Sequence, residues 1–191
     1  PYEYGCTVNN EILSLKEPPM SGYEIYELEE RLLELGYDPG KVDGVFDQST
    51  ERAVKEFQKD QRLPISGRVD ETVWKHLAQE TDKPASSQIP PPEGFVSLVI
   101  NLDTNTLTVY SDQDIYKEYP VAIGKSDSPS PVGEWRIIQK SLNWGGGFGT
   151  RWLGLNVPWG IYGIHGTNKP WSIGQMVSKG CFRMFNHDVE E

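Results

Sequence analysis

Apolar residues recur at a helical period in the first part of the chain. Between Tyr23 and Leu35, the residues Ile25, Leu28, Leu32 and Leu35 fall on one face with Glu and Arg between them, which predicts an amphipathic helix. Gly36 supplies a stop, and Asp38-Pro39-Gly40 and Asp43-Gly44 read as turns. Asp47 is placed to cap a second helix whose apolar face is Ala53, Val54 and Phe57. A third, short helix starts at Asp70, where Val69 before the cap and Trp74 beyond it are spaced as a hydrophobic staple. Residues 20–79 thus predict a compact three-helix unit, preceded by an extension over 1–19. Such a unit is small and rests on few large side chains.

The pattern then changes. Residues 80–94 carry Pro84, Ser86, Ser87 and Pro90-Pro91-Pro92, the composition of a stiff spacer without a core, and mark a domain boundary. From Phe95 the periodicity is that of strands. Phe95 to Ile100 is rich in valine and isoleucine, Leu107 and Val109 alternate with threonines, and turn signals fall at Asp103 to Asn105 and Ser111 to Asp114. Further strands are predicted at Ile115 to Ile123, Glu134 to Gln139 and Gly160 to His165. The fold class expected is multidomain α + β, a three-helix module followed by a mainly β, sandwich-like domain over 95–191. The stretch Asn143 to Gly149 is too glycine-rich for a regular element and reads as a loop, either over a site or on an ordinary surface.

Composition removes some functions. Of the 191 residues, 37% are hydrophobic and 11% aromatic, enough for packed cores. No run approaches the roughly 20 apolar residues of a membrane span. The net charge of −10, with no basic stripe, argues against a nucleic-acid partner. The chain starts at Pro1, so a missing leader says nothing about compartment.

The candidate chemistry lies near the end. Cys181 sits in Ser178-Lys179-Gly180-Cys181 and is followed by Phe182-Arg183-Met184, while His165 ends an apolar strand and precedes Gly166-Thr167. A cysteine becomes a nucleophile when a base or positive charge favours its thiolate. His165 is the candidate base, and Lys179 and Arg183 are candidate sources of positive field. Gly180 permits a tight turn that aims the N–H groups of Gly180 and Cys181 at one spot, as an oxyanion requires. The bland alternative is a buried apolar cysteine beside a structural histidine. His187, among Asn186, Asp188 and Glu190, is a lesser candidate base, and no ligand spacing supports a zinc site from Cys181, His165 and His187. The other cysteine is Cys6. A Cys6–Cys181 bridge is the less favoured arrangement, and it would block the chemistry.

Three segments together carry a resemblance: Ile164-His165-Gly166-Thr167-Asn168, Ser172-Ile173-Gly174, and Ser178-Lys179-Gly180-Cys181-Phe182-Arg183-Met184. They resemble the signature of L,D-transpeptidases of the YkuD type, and Ser130-Pro131-Val132-Gly133-Glu134-Trp135 is similar to a further element of that family. The helical unit resembles three-helix peptidoglycan-binding modules, through Leu28 to Tyr37, Val42 to Phe46, Ala53 to Gln58 and Gly67 to Asp70. Position 179, where the family most often has histidine, is lysine here, so the base role falls to His165. Family members usually continue into a further strand, whereas this chain ends at Glu191.

The resemblance implies cysteine-dependent acyl transfer between peptidoglycan stem peptides, through a thioester on Cys181 and toward a 3→3 cross-link. His165 would be the base, the Gly166 carbonyl would orient its ring, and Arg183 would meet a stem carboxylate or serve as a structural ion-pair residue. Gly180, Lys179 and Ser178 would line the oxyanion and substrate side, with Ser178 and Asn186 supporting the cysteine loop. No metal or organic cofactor is implied. The partners would be stem peptides and glycan strands, which places the protein outside the cytoplasmic membrane, in the cell envelope or wall. An L,D-carboxypeptidase with the same site and a non-catalytic wall-binding protein remain as alternatives. The sequence leaves the oligomeric state and the stem diamino acid open.

Overall fold

The structure is a computed structural model that describes residues 4–5, 11–78, 90–142 and 146–191. Most of the expected linker, 80–89, lies outside the described residues. The chain divides into two compact units, one of residues 10–80 and the other of residues 1–9 together with 81–191. Among the described residues no helix is long and apolar enough to cross a membrane.

The helical unit holds α1 (Tyr23–Glu34), α2 (Gln48–Asp60) and α3 (Glu71–Leu77). The expected caps form: Asp47 accepts from the N–H groups of Ser49 (2.7 Å) and Thr50 (3.0 Å), and Asp70 from that of Val73 (3.0 Å). Gly36, at φ 88°, ends α1 in the left-handed region open to glycine. Ile25, Leu28, Leu32, Phe46, Ala53, Val54, Phe57, Val73 and Leu77 are buried together. Leu13 is buried as well and bridges Val69 antiparallel, so this unit begins inside the stretch that reads as an extension.

Two buried polar side chains hold the loops of this unit. The Glu29 carboxylate, fully buried, accepts from the N–H groups of Gly44 (2.8 Å) and Asp43 (3.0 Å) and from Thr50 Oγ1 (2.9 Å). Burial pushes its carboxyl up from its ordinary range, and these three donors oppose the rise. Gln58 does the same for the second loop, accepting from the Gly67 N–H (2.9 Å) and donating to Arg68 O (2.9 Å).

The second unit is mainly β. Strands β2 (Val96–Asn101), β3 (Thr106–Ser111) and β4 (Asp114–Pro120) form an antiparallel meander. A larger sheet runs β1–β8–β7–β6, with β1 Tyr4–Gly5, β6 Ile137–Leu142, β7 Arg151–Leu155 and β8 Gly160–His165. Strand β10 (Phe182–Arg183) also pairs with β8, and β5 (Ile123–Gly124) pairs with β9 (Met176–Ser178). The chain closes on a short helix, α4 (Asn186–Glu190). Leu107, Tyr119, Val121, Ile123, Ile164, Phe182 and Met184 form the core between meander and larger sheet.

Two expected strands are displaced. The run Ile115 to Ile123 divides at Pro120, because Val121 and Ala122 carry the chain to the other sheet, where Ala122 bridges Arg183. Strand β6 begins at Ile137 rather than Glu134, since Trp135 turns back to donate to Pro131 O (3.4 Å) and packs edge-on against Trp159. In Glu29→Ala, three donors lose their acceptor, at a cost of about 2–4 kcal/mol. We expect chemical denaturation of the whole chain, followed by helical circular dichroism, to show that loss, with Glu29→Gln milder.

Candidate active site

Strand β8 carries the histidine and sets everything around it. It pairs antiparallel with β7, Trp152 opposite His165 and Gly154 opposite Gly163. Gly163 has no side chain where the Trp152 indole lies: a Cβ there would come within 2.7 Å of it. Trp152 therefore lies flat beside His165, stacked at 5.8 Å, and Phe148 meets the same imidazole edge-on at 4.7 Å. Phe148 belongs to a one-turn 3-10 helix, Gly146–Phe148, inside the glycine-rich stretch, whose residues 143–145 lie outside the described residues. Phe148, Trp152 and Cys181 form one buried cluster.

The other edge of β8 receives β10. The pairing is parallel, with Phe182 opposite Ile164 and Arg183 opposite His165. That register brings Cys181 beside Gly163, whose N–H donates to Cys181 Sγ at 3.3 Å. Upstream, Ser178 folds the approach: its hydroxyl donates to Cys181 O (2.5 Å) and accepts from the Gly180 N–H (3.0 Å). Gly180 sits at φ 107° with Tyr162 so close that a Cβ would approach its ring to 2.8 Å. Glycine is required there on both counts.

The His165 ring is 3% exposed, and its Nδ1 lies 2.5 Å from Gly166 O. A carbonyl oxygen only accepts, so Nδ1 carries the proton and Nε2 keeps its lone pair. Burial, and next the charge of Arg183, lower the imidazole from its ordinary 6.5 to about 3, while the Gly166 bond opposes the shift. His165 is thus neutral at physiological pH. The Arg183 guanidinium reaches Ser172 Oγ at 3.4 Å, and its backbone pairs with Ala122.

Asn186 holds the histidine loop. Its Oδ1 accepts from the N–H groups of Thr150 and Thr167, both at 3.1 Å, and its Nδ2 donates to Thr167 O at 2.9 Å. A methyl group on Gly149 or Gly166 would collide with that oxygen.

These observations revise the sequence reading. His165, Gly166, Cys181, Ser178, Gly180 and Arg183 do converge. The Gly180 N–H, expected to face an oxyanion, is instead engaged by Ser178, because the turn folds that hydroxyl beneath it. Lys179 is exposed. Asn186 supports the histidine loop rather than the cysteine loop. His187 is stacked on Phe185 and lies 3.3 Å from Asp188. Cys181 is disulfide-bonded and wholly buried. Phe148, Trp152 and Gly163 escaped that reading, because only the pairing of β7 and β10 with β8 and the turn before β7 bring them to the cysteine.

The L,D-transpeptidase catalytic domain matches residues 96–191. The chain belongs to this family. A putative peptidoglycan binding domain matches residues 21–77, so peptidoglycan-related domains occupy both units. The L,D-transpeptidase part is 47% identical over 94 residues to the putative L,D-transpeptidase YkuD of Bacillus subtilis (strain 168), covering 49% of this chain and 56% of that protein. It is 38% identical over 114 residues to the putative L,D-transpeptidase YqjB of the same organism, covering 52% of this chain and 65% of that protein. The chain thus spans little more than half the length of the first of these relatives. An L,D-transpeptidase crystal structure from Xylanimonas cellulosilytica is similar at 23% identity and a TM-score of 0.43, covering 89% of this chain and 86% of that one.

Two measurements test this L,D-transpeptidase site. Between pH 6.5 and about 3 the unfolded chain binds a proton at His165 that the folded chain refuses. The stability tied to neutral His165 is therefore complete above about 6.5 and drains as pH falls, by up to about 1.4 kcal/mol per pH unit. Denaturation midpoints across that range should show the slope, and His165→Gln should flatten it. Asn186→Ala strands two N–H groups and is expected to cost about 2 kcal/mol in thermal melts.

Proposed function

We propose that this chain is a peptidoglycan L,D-transpeptidase that acts through Cys181 as a thiolate, with His165 as its base. The observation that carries the reading is the tautomer of His165, whose Nδ1 is fixed by Gly166 O on the strand beside the cysteine. An imidazole so held offers Nε2 to a proton, the role a third residue secures in other nucleophile–histidine pairs. Its low proton affinity suits a coupled event: the proton is taken up as a thiolate forms beside it, and each charge stabilises the other. The Gly163 N–H and the positive charge of Arg183 favour the thiolate in the same direction.

The reaction then follows in two halves. The Cys181 thiolate attacks the carbonyl between the third and fourth residues of a donor tetrapeptide stem. The tetrahedral intermediate collapses, the peptide C–N bond breaks, and the imidazolium of His165 protonates the leaving D-alanine amine. A thioester remains on Cys181. An acceptor amine gives a proton to His165 and attacks the thioester, forming a 3→3 peptide bond and releasing the thiolate. The Gly180 N–H serves the Ser178 turn in this mechanism, so Ser178 and Gly180 shape the loop that presents the cysteine.

The helical module supports the same reading, because binding the glycan–peptide polymer raises the effective concentration of stems at the site. Such a substrate lies outside the cytoplasmic membrane, and we place the working protein there, as a secreted component of the envelope or wall.

The test is mass spectrometry of products from a disaccharide-tetrapeptide and the reduced protein. The expected product is a dimer short of one D-alanine. Cys181→Ala should lower its rate by about 10⁴-fold or more, and His165→Gln by roughly 10²–10⁴-fold. A tripeptide without dimer would make the protein an L,D-carboxypeptidase. Unchanged product from Cys181→Ala would overturn the reading.

A further inference from the structure

The tautomer of His165 rests on one carbonyl, that of Gly166, which accepts from Nδ1 at 2.5 Å. Whatever aims that carbonyl decides whether Nε2 keeps its lone pair. Much of the surrounding backbone is tied to other strands. The Gly166 N–H donates to Arg151 O (3.1 Å), and the Met184 N–H donates to His165 O (2.8 Å). The peptide unit between Gly166 and Thr167 is tied by side chains instead. Its oxygen meets the imidazole, and its N–H, that of Thr167, donates to Asn186 Oδ1 at 3.1 Å. A trans peptide is planar, with N–H and C=O opposed, so holding the N–H fixes the direction of the carbonyl. A line of two hydrogen bonds thus runs from the Asn186 amide through this peptide to the ring.

We propose that Asn186 selects the working tautomer of His165, acting as a positioning residue through the Gly166–Thr167 peptide. The proposal deepens the transpeptidase reading and rests on it for its rate measurement only.

Glycine is the reason why a side chain is needed there. Asn186 Oδ1 comes so close that a Cβ on Gly166 would collide with it, so position 166 has to be glycine. Glycine also leaves the following peptide plane freest to turn over. A turned peptide would present the Thr167 N–H to His165 Nδ1. That nitrogen would then accept, and the ring proton would move to Nε2. The lone pair that takes the thiol proton would be gone.

Asn186 opposes the turn because its own amide is locked. The Thr150 N–H donates to Oδ1 (3.1 Å), and Nδ2 donates to Thr167 O (2.9 Å). Rotating the amide to meet a flipped carbonyl would set donor against donor at Thr150 and oxygen against oxygen at Thr167. Thr167 is 1% exposed, which keeps water from replacing a lost bond. Asn186 lies five residues after Cys181, and Thr150 lies just beyond Phe148, which packs against the ring. The segment that supplies the nucleophile therefore also sets the proton state of its base.

The test is nitrogen NMR of the imidazoles in the reduced whole chain, beside product rates from the disaccharide-tetrapeptide. The chain has three histidines, and His165→Gln identifies the signal of His165. Wild type should show a ring protonated at Nδ1. Asn186→Ala should populate the Nε2–H form and lower kcat by roughly 10²-fold, with KM held, because Asn186 acts behind the histidine. Asn186→Asp keeps an oxygen for both N–H groups and should keep the Nδ1–H ring and most of the rate. An Nδ1–H ring persisting in folded Asn186→Ala, even with a lower melting temperature, would overturn the proposal. So would an Nε2–H ring in Asn186→Asp, the variant that decides the matter if Asn186→Ala does not fold. A tautomer that responds as expected while wild type gives no product would retire the transpeptidase reading and leave the role of Asn186 standing.

Discussion

The site depends on two residue pairs of parallel β-structure, Phe182 with Ile164 and Arg183 with His165. This short ladder is the only regular backbone pairing between the cysteine segment and the histidine strand among the described residues. It fixes Cys181 beside Gly163 and brings the Arg183 charge to bear on His165. A slip of one residue would exchange inward and outward side chains, leaving Cys181 on the wrong face. Little of its strength comes from the hydrogen bonds themselves. Phe182 and Met184 on one side and Ile164 on the other are buried in the core that joins the two sheets, so the register of the chemistry is enforced by apolar packing.

The electrostatics follow from the same packing. His165 is enclosed by Phe148, Trp152 and the backbone of its own turn. Enclosure disfavours the imidazolium, and the cation Arg183 adds to the effect. Such an environment would cost stability if it held an unpaired charge. It holds a neutral ring with one satisfied N–H.

The sequence made some of this legible. The three helices and their caps at Asp47 and Asp70 could be read because helix periodicity and capping are local. The strand Gly160 to His165 was equally plain, and the motif around it pointed to His165 and Cys181. Residues that act across strands were not readable. Nothing local in Arg151–Leu155 announces that Trp152 will lie over Gly163, because the indole finds its place through the absence of a side chain on another strand. Asn186 was assigned to the wrong loop for the same reason: its partners, Thr150 and Thr167, are set by tertiary folding. The Gly180 N–H reads in the sequence as an available donor, and in the fold it bonds Ser178, a pairing that the turn geometry rather than the glycine decides.

The catalytic unit is discontinuous in sequence, taking residues 1–9 and then 81–191 around the helical unit. Strand β1 is therefore synthesised long before β8, the strand it joins, and the helical unit, with its short-range contacts, emerges between them. Local contacts form fast and long-range pairings wait for loop closure, so the helices assemble while β1 has no sheet to enter. Strand β1 is thus made before the helices and finds its place after them.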